Sequence, residues 1–202
     1  NGQAIKTDGA GNLTFGDAGG AGGAGINLVT LDTAGNNWAI SKATNFDLEA
    51  TVGDWAAYAD AAATSPVDMT GGSPNTMCTR DTTDEINGAA SLKMTVSSGA
   101  SRQGEGCSIL VNVPTAYRGK NVAFTFPFTT SGTLVEDDLR LYAYDVTNSV
   151  VITPLSRSKV LGASGQAIAV IGIPSSTAQI RVGVHIARST TAALTFVGDD
   201  FQ

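Results

Sequence analysis

The chain has 202 residues, a formal net charge of −6 and only 15% charged residues, and its sequence pI is about 4.6. This length suits one all-β domain with a small appendage and is short for two full domains. The acidic balance argues against nucleic acid or an anionic membrane as a partner, and no apolar run approaches the roughly 20 residues of a membrane span. The 24 glycines favour strands and tight turns over helices.

Residues 1–18 are predicted to form a small hairpin, because Asp8-Gly9-Ala10-Gly11 separates two strand-like pieces, residues 3–7 and 12–15. Asp-Gly is a strong turn signal, since Gly adopts positive φ at little cost. A lone two-stranded hairpin is marginal in water, so we expect this anchor to pack against other chains. Residues 19–25, rich in Gly, are predicted to be a flexible linker. They match G-x-G-x-x-G, but a dinucleotide loop needs a helix where a strand-like segment follows.

Residues 26–202 are predicted to form an antiparallel β-sandwich of the jelly-roll type, with its core region at about 44–202. The apolar residues recur with a period of two, turn residues separate them at regular intervals, and no helical segment alternates with them. The predicted strands cover residues 76–80, 90–96, 106–113, 122–128, 139–146, 149–153, 167–173, 180–186 and 192–197. A long loop is predicted at 60–75 and a turn at 116–120.

The heaviest block of core is predicted in the strand 122–128. Val122, Phe124, Phe126 and Phe128 share one parity, and each contributes about 1.5–3 kcal/mol if fully buried. Pro127 on the opposite parity indicates an edge strand or a strand end.

Cys78 and Cys107 are the only cysteines, and neither has the spacing of a metal ligand pair. Two interpretations stay open. They are buried free thiols, which the small and apolar character of buried Cys favours, or they form one bridge across neighbouring strands.

Catalytic chemistry has few candidates in this sequence, and we expect no enzymatic activity. His185 is the only histidine, which removes most acid–base and triad templates, and it is predicted to be a solvated or hydrogen-bonded surface residue. Residues 156–159 match S-x-x-K, but they lie in a predicted loop without the partner motifs. The carboxylates are scattered in turns and form no evident acid–base pair.

Two segments, at the start and at the end of the predicted core region of the sandwich, resemble the jelly-roll domains of carbohydrate-binding modules. Asn45-Phe46-Asp47 followed by Trp55, and the ending Asp199-Asp200-Phe201, are similar to the opening and closing segments of those modules, and the resemblance covers about residues 44–202. It implies a structural calcium ion held by Asp47 and by Asp200, with Asp199 as the alternative from the closing pair. Asp47 stands where that family more often has Glu.

A second resemblance concerns the N-terminus. Residues 1–15 are similar to a short segment that recurs in bacteriophage fibre and virion-appendage proteins, ahead of Gly-rich linkers and C-terminal sandwich domains, and residues 55–63 and 142–154 are also similar to phage structural proteins. This implies a structural protein on the surface of a virion, assembled in the bacterial cytoplasm as a homo-oligomer, with a trimer favoured, and in contact with other virion proteins. It implies a tail or head fibre that could bind host-surface polysaccharide. Two alternatives remain: a capsid decoration or cement protein, and a non-catalytic carbohydrate-binding module of a larger enzyme.

A candidate glycan-binding patch follows from strand parity. Arg140, Tyr142 and Tyr144 share one parity of the strand 139–146, and Arg181 and His185 share the polar parity of the strand 180–186. If these strands are neighbours, the five residues combine aromatic faces with hydrogen-bonding groups, which can stack on and orient a sugar ring. The alternative is that the tyrosines pack inward or merely cover a sheet face.

Overall fold

The computed structural model describes residues 3–7, 13–17, 48, 52–61, 68–154, 159–188 and 193–201. Apart from one 3-10 turn, Thr115–Tyr117, the regular structure of these residues is β, which confirms the all-β prediction. No helix among them is long and apolar enough to cross a membrane. The strands are β1 (Gln3–Thr7), β2 (Leu13–Asp17), β3 (Ala56–Ala59), β4 (Met77–Asp81), β5 (Ser91–Val96), β6 (Glu105–Asn112), β7 (Asn121–Asp145), β8 (Val150–Ile152), β9 (Lys159–Gly172), β10 (Gln179–Ile186) and β11 (Leu194–Gly198).

The N-terminal strands β1 and β2 pair antiparallel, from Gln3 opposite Asp17 to Thr7 opposite Leu13. This is the predicted hairpin, with its second strand displaced slightly toward the C-terminus. The predicted linker at 19–25, the strand-like segment after it and Asp47 lie outside the described residues.

The remaining strands form an antiparallel sandwich in which β7 takes part in both layers. We call the strands β3, β6, β10, the second half of β7 and β8 the front sheet, and β9, the first half of β7, β11, β5 and β4 the back sheet. Residues 139–145 of β7 pair with β10 in the front sheet. Residues 121–129 pair with β9, and residues 128–130 pair with β11, in the back sheet. The start of β9 also pairs with the second half of β7, with Val160 opposite Leu139, so both β7 and β9 run from one layer into the other.

The two halves of β7 present opposite parities to the core. Phe124 and Phe126 point inward from the first half, whereas Leu139 and Leu141 point inward from the second. The pairing with β9 shifts register between residues 129 and 139, and such bulges absorb extra residues in one strand. Two separate strands were predicted at 122–128 and 139–146. That prediction was wrong in its boundary, because the bulged segment keeps the strand continuous.

Pro127 lies inside β7 rather than at an edge or a strand end, contrary to the prediction. The backbone N–H of Asp199 donates to the Pro127 carbonyl at 3.2 Å, so this side of Pro127 faces β11. The ladder between β11 and β7 stops at Gly198 opposite Phe128. The N–H that Pro lacks would point to the same side as its carbonyl, so Pro127 and Asp199 form only one of the two bonds that a hydrogen-bonded antiparallel pair exchanges, at the point where the ladder ends.

The core fills the space between the sheets and is built around aromatic rings. Val122, Phe124, Phe126 and Phe128 are at most 3% exposed, which confirms the predicted core block. Phe126 packs against Phe201 with ring centroids 4.6 Å apart. The last described residue of the chain is therefore held in the centre of the sandwich.

Candidate binding face

The pairing of β7 with β10 brings the predicted glycan-binding residues together. Tyr144 lies opposite Arg181 and Arg140 opposite His185, and Tyr142 between them faces Gly183. Residues directly opposite in an antiparallel pair project from the same face of the sheet. The alternate positions of both strands are buried in the core, so these residues project from the outer face of the front sheet.

We call Arg140, Tyr142, Tyr144 and Arg181 the tyrosine face. All four are partly exposed, so the tyrosines do not pack into the core. The Arg140 Nη1 atom lies 3.5 Å from the Tyr142 hydroxyl. This long contact places the two side chains next to each other. Gly183, opposite Tyr142, has no room for a side chain, because a Cβ atom at this position would lie only 2.6 Å from the carbonyl oxygen of Cys107.

His185 belongs to the same row but not to the surface. It is 1% exposed, so the prediction of a surface histidine was wrong. The Tyr58 hydroxyl and His185 Nδ1 are 2.8 Å apart, and a carboxylate oxygen of Asp60 lies 3.7 Å from the same nitrogen. The ring of Tyr142 packs against the imidazole edge to face, with centroids 5.2 Å apart at 88°. His185 thus supports Tyr142 and does not reach a ligand.

Tyr58 reaches His185 because the residue between them is a glycine. Tyr58 of β3 and His185 of β10 both lie opposite Gly106 of β6. A Cβ atom at position 106 would stand 2.8 Å from the Tyr58 hydroxyl. The absent side chain therefore opens the path by which the phenol crosses β6. A glycine inside a strand is a sequence signal for such a close approach, and Tyr58 was not among the predicted residues.

Acidic and phenolic groups surround Arg181. Burial lowers the pKa of the Arg181 guanidinium, and the neighbouring Tyr144 and Asp60 oppose this effect. Burial raises the pKa of Tyr58, and the charge of Asp60 adds to the rise. Burial would also raise the pKa of Asp68, but hydrogen bonds from Thr70 outweigh it and lower the pKa. Hydrogen-bond donors and acceptors therefore lie side by side at this end of the tyrosine face.

The predicted calcium ligands at the C-terminus have hydrogen-bonding roles. The Asp199 carboxylate is buried and accepts from the Ser91 hydroxyl at 2.8 Å, from the Asn87 N–H at 3.1 Å and from the Asp200 N–H at 2.8 Å. Burial raises the pKa of Asp199 despite these bonds. Three donors take most of the roughly four acceptor positions of a carboxylate.

A calcium ion consequently stays a prediction here. Asp200 is exposed and accepts from the Asn87 side chain, and Asp47 is outside the described residues. Among the residues that the structure describes, no group of three or more potential metal-ligating side chains occurs.

Two other buried carboxylates hold turns and loops in place. Asp145 accepts from the backbone and side chain of Asn148 at 3.0 and 2.7 Å, and also from the Thr177 hydroxyl. Burial would raise the pKa of Asp145, but these hydrogen bonds lower it. Glu105 accepts from the backbone of Asn75 at 3.0 Å and of Thr76 at 2.6 Å. These groups are engaged with backbone rather than arranged as an acid–base pair.

A polar pocket of about 300 Å³ lies on the outer face of the back sheet. Its lining residues are Asp84, Lys93, Thr129, Thr130, Ser131, Thr195 and Val197. The Lys93 ammonium is already paired with Asp81 and Asp84. The pocket lining contains no aromatic ring, so it lacks the stacking surface that the tyrosine face provides.

Comparison with known proteins places the fold. No family model matches the sequence, and no curated protein matches it. The carbohydrate-binding module (CBM22-1) and GH10 modules of xylanase 10B from Clostridium thermocellum, solved with xylohexaose, match at a TM-score of 0.50 and 15% identity, over 79% of this chain and 28% of that one. A carbohydrate-binding module of the β-sandwich superfamily matches at 0.50 and 14% identity, over 78% of this chain and 60% of that one.

A further structure, a carbohydrate-binding module of family 4 (CBM4), matches at a TM-score of 0.48 and 16% identity, over 74% of this chain and 92% of that one. Identities this low establish similarity of fold alone. The predicted antiparallel sandwich is confirmed, and its fold is similar to that of these carbohydrate-binding modules.

Proposed function

We propose that this chain is a non-catalytic polysaccharide-binding protein that holds its ligand on the tyrosine face. The observation that carries the proposal is the placement of Tyr142 and Tyr144 on the outer face of the front sheet, with Arg181 directly opposite Tyr144. Aromatic rings contact the apolar faces of sugar rings, and fixed polar groups select the orientation of the hydroxyls. The tyrosine face offers both.

The spacing of the side chains favours a chain of sugar units over a single sugar. Residues two apart on one face of a strand are about 7 Å apart, so Arg140, Tyr142 and Tyr144 form a row about 13 Å long. A row of this length contacts successive units of a polysaccharide. Because Arg181 has Asp60 and Asp68 near it, the polar groups suit a neutral, hydroxyl-rich ligand that both accepts and donates hydrogen bonds.

The likeness in fold suggests the first ligands to test. The xylanase modules with a similar fold were solved with xylohexaose, so xylan and xylo-oligosaccharides stand at the head of a panel of neutral and acidic polysaccharides. Binding is measured by affinity electrophoresis and calorimetry on the intact chain. We expect Tyr142→Ala and Tyr144→Ala each to weaken binding about tenfold, which corresponds to about 1.4 kcal/mol.

The control variant is Met77→Ala, because Met77 is 56% exposed on β4 of the back sheet. It should bind like the parent chain, and all variants should melt within a few degrees of it. Unchanged binding by the double tyrosine variant would contradict the tyrosine face as the binding surface. Failure of the parent chain to bind any polysaccharide in the panel would contradict the function.

We also propose a more specific role, that of an oligomeric appendage on a bacteriophage virion. Its support is the similarity of residues 1–15 to phage appendage segments and the β1–β2 hairpin, which pairs with no further strand of the described residues and would gain stability from neighbouring chains. Light scattering should report a trimer for the intact chain and a monomer for a version that begins at Gly25. Equal masses per particle for both versions would contradict the anchor.

The alternatives differ in where the protein is found. A fibre would be labelled by antibody at the tail or at discrete head positions, and a cement protein would be labelled across the shell lattice. An antibody against a module of a polysaccharide-degrading enzyme would label neither the tail nor the shell of a virion.

A further inference from the structure

Two cysteines, Cys78 and Cys107, lie on strands of opposite sheets at one edge of the sandwich. Cys78 is in β4, the outermost strand of the back sheet, and Cys107 is in β6 of the front sheet. Cys78 lies opposite Met94, a core residue, and packs partly exposed against the core, whereas Cys107 is fully buried within it. The two side chains thus approach each other from opposite layers.

The Cys107 sulfur atom reaches the backbone of β4 next to Cys78. The Cys107 Sγ atom is 3.9 Å from the carbonyl oxygen of Met77, the neighbour of Cys78. Both cysteines are free thiols in the structure. A disulfide needs an S–S distance of about 2.05 Å, so bond formation brings the Cys78 side chain to a sulfur atom that already lies beside the backbone of its own strand.

We propose that Cys78 and Cys107 are a site of reversible oxidation, at which a small-molecule disulfide such as oxidised glutathione converts the thiol pair into a disulfide that joins the two sheets. The Cys78 thiolate attacks one sulfur of oxidised glutathione, the S–S bond of glutathione breaks, and one glutathione thiol leaves with a proton. The Cys107 sulfur then loses its proton and attacks Cys78 Sγ. The mixed disulfide breaks, and a second glutathione thiol leaves. The protein is oxidised by two electrons, and glutathione is reduced by two.

Exposure decides the order of the two steps. Cys78 is partly exposed and Cys107 is not, so an external disulfide reaches only Cys78. Burial also raises the pKa of the Cys107 thiol, which keeps it protonated and inert toward solvent reagents. Its position beside the Cys78 backbone makes it effective within the protein, because a neighbouring thiol resolves a mixed disulfide without diffusion.

The arrangement serves oxidation better than metal binding. A structural zinc site needs four ligands, and the described part of the chain provides no cluster of three or more ligating side chains that includes these thiols. The new bond would instead fix β4, which among the described strands pairs only with β5, to the opposite layer.

Intact mass spectrometry and a count of free thiols after denaturation test the proposal on the full chain, incubated with oxidised glutathione. The parent protein should lose the mass of two hydrogens and both free thiols, and its mass after denaturation should stay that of a single chain, with no disulfide between chains. Cys107→Ser should retain one glutathione adduct, since nothing resolves the mixed disulfide. Cys78→Ser should stay unmodified in its folded state. Cys107→Ala provides a second, apolar variant if the buried serine impairs folding.

Thermal melting gives an independent readout. Closing the loop between residues 78 and 107 should raise the melting temperature of the parent protein by about 5–15 °C, and a reductant should reverse the rise. The melting temperatures of the single-cysteine variants should not respond to oxidation. Stable glutathione adducts on the parent protein, two thiols that persist under oxidation, or an adduct on Cys78→Ser instead of Cys107→Ser would each overturn the proposal.

Discussion

The aromatic cluster around Phe201 allows a quantitative test of how the sandwich is held together. Phe201 is 1% exposed, and its ring centroid lies 4.4 Å from that of Trp55 and 4.6 Å from that of Phe126. The ring therefore connects the C-terminal end of the chain to β7 and to the segment just before β3. The substitution Phe201→Ala removes this connection without touching the tyrosine face.

The expected cost follows from burial and from the rigidity of the surroundings. Replacing a fully buried Phe by Ala costs about 3–5 kcal/mol, and the loss is larger where neighbours cannot collapse into the cavity. Trp55 and Phe126 are large rings fixed by their own packing, so we expect about 4 kcal/mol. A domain of this size loses about 2–4 °C of melting temperature per kcal/mol, which predicts a fall of about 8–16 °C. This is a large share of a typical total stability of about 5–15 kcal/mol.

Urea unfolding followed by tryptophan fluorescence measures the effect, because Trp55 is in direct contact with the substituted ring. Phe201→Leu keeps most of the volume and should cost about half as much as Phe201→Ala. The exposed control Met77→Ala should stay within about 0.5 kcal/mol of the parent protein. A loss below about 1 kcal/mol for Phe201→Ala would refute the reasoning, since it would mean that the C-terminus is not part of the core.

Three further predictions concern charge, metal and close packing. The hydrogen bond from Lys93, followed by that from Thr83, holds the pKa of Asp81 well below its usual range. This stabilisation is present above pH of about 4 and is lost as pH falls through the lowered pKa. Lys93→Met should therefore cost up to about 1 kcal/mol at pH 7 and progressively less below about pH 4, as urea midpoints at several pH values will show. If calcium binds as the resemblance to carbohydrate-binding modules implies, it will raise the melting temperature and EDTA will lower it, and neither will do so in Asp200→Asn; equal melting curves for the parent protein would argue against the ion. Gly106→Ala should cost about 1–3 kcal/mol by overpacking, whereas Gly132→Ala, with nothing within 4 Å of its added Cβ, should be nearly neutral in the same assay.

The parity of apolar residues predicted much of the sandwich. The block from Val122 to Phe128 is buried where alternation placed it, because a two-residue period leaves one way to turn a strand toward a core. The same reasoning placed Tyr142 and Arg181 on outward positions of their strands. The pairing of those strands came from the fold, since sequence periodicity does not identify a strand's neighbours.

Burial of polar residues was the part that parity did not predict. His185 has the outward parity of its strand, yet Tyr58, 127 positions away in sequence, covers it. Strand parity gives the face of a sheet and says nothing of what lies on that face. The short strand β3 was also missed, because its Ala-rich sequence carries little alternation. Gly106 was the available signal, since a strand glycine indicates that another group approaches the backbone closely.

The bulged stretch of β7 between residues 129 and 139 also constrains how this protein can change in length. The first half of β7 turns even-numbered residues inward, and the second half turns odd-numbered residues inward. The aromatic core and the tyrosine face therefore keep their orientations only if the number of residues between them changes by an even number. One residue inserted at Gly132 would force the bulge to re-form or drive Tyr142 and Tyr144 toward the interior. Two inserted residues would leave both halves in place. Insertions and deletions tolerated in this strand should therefore come in pairs, because the orientation of the tyrosine face is tied to that of the core.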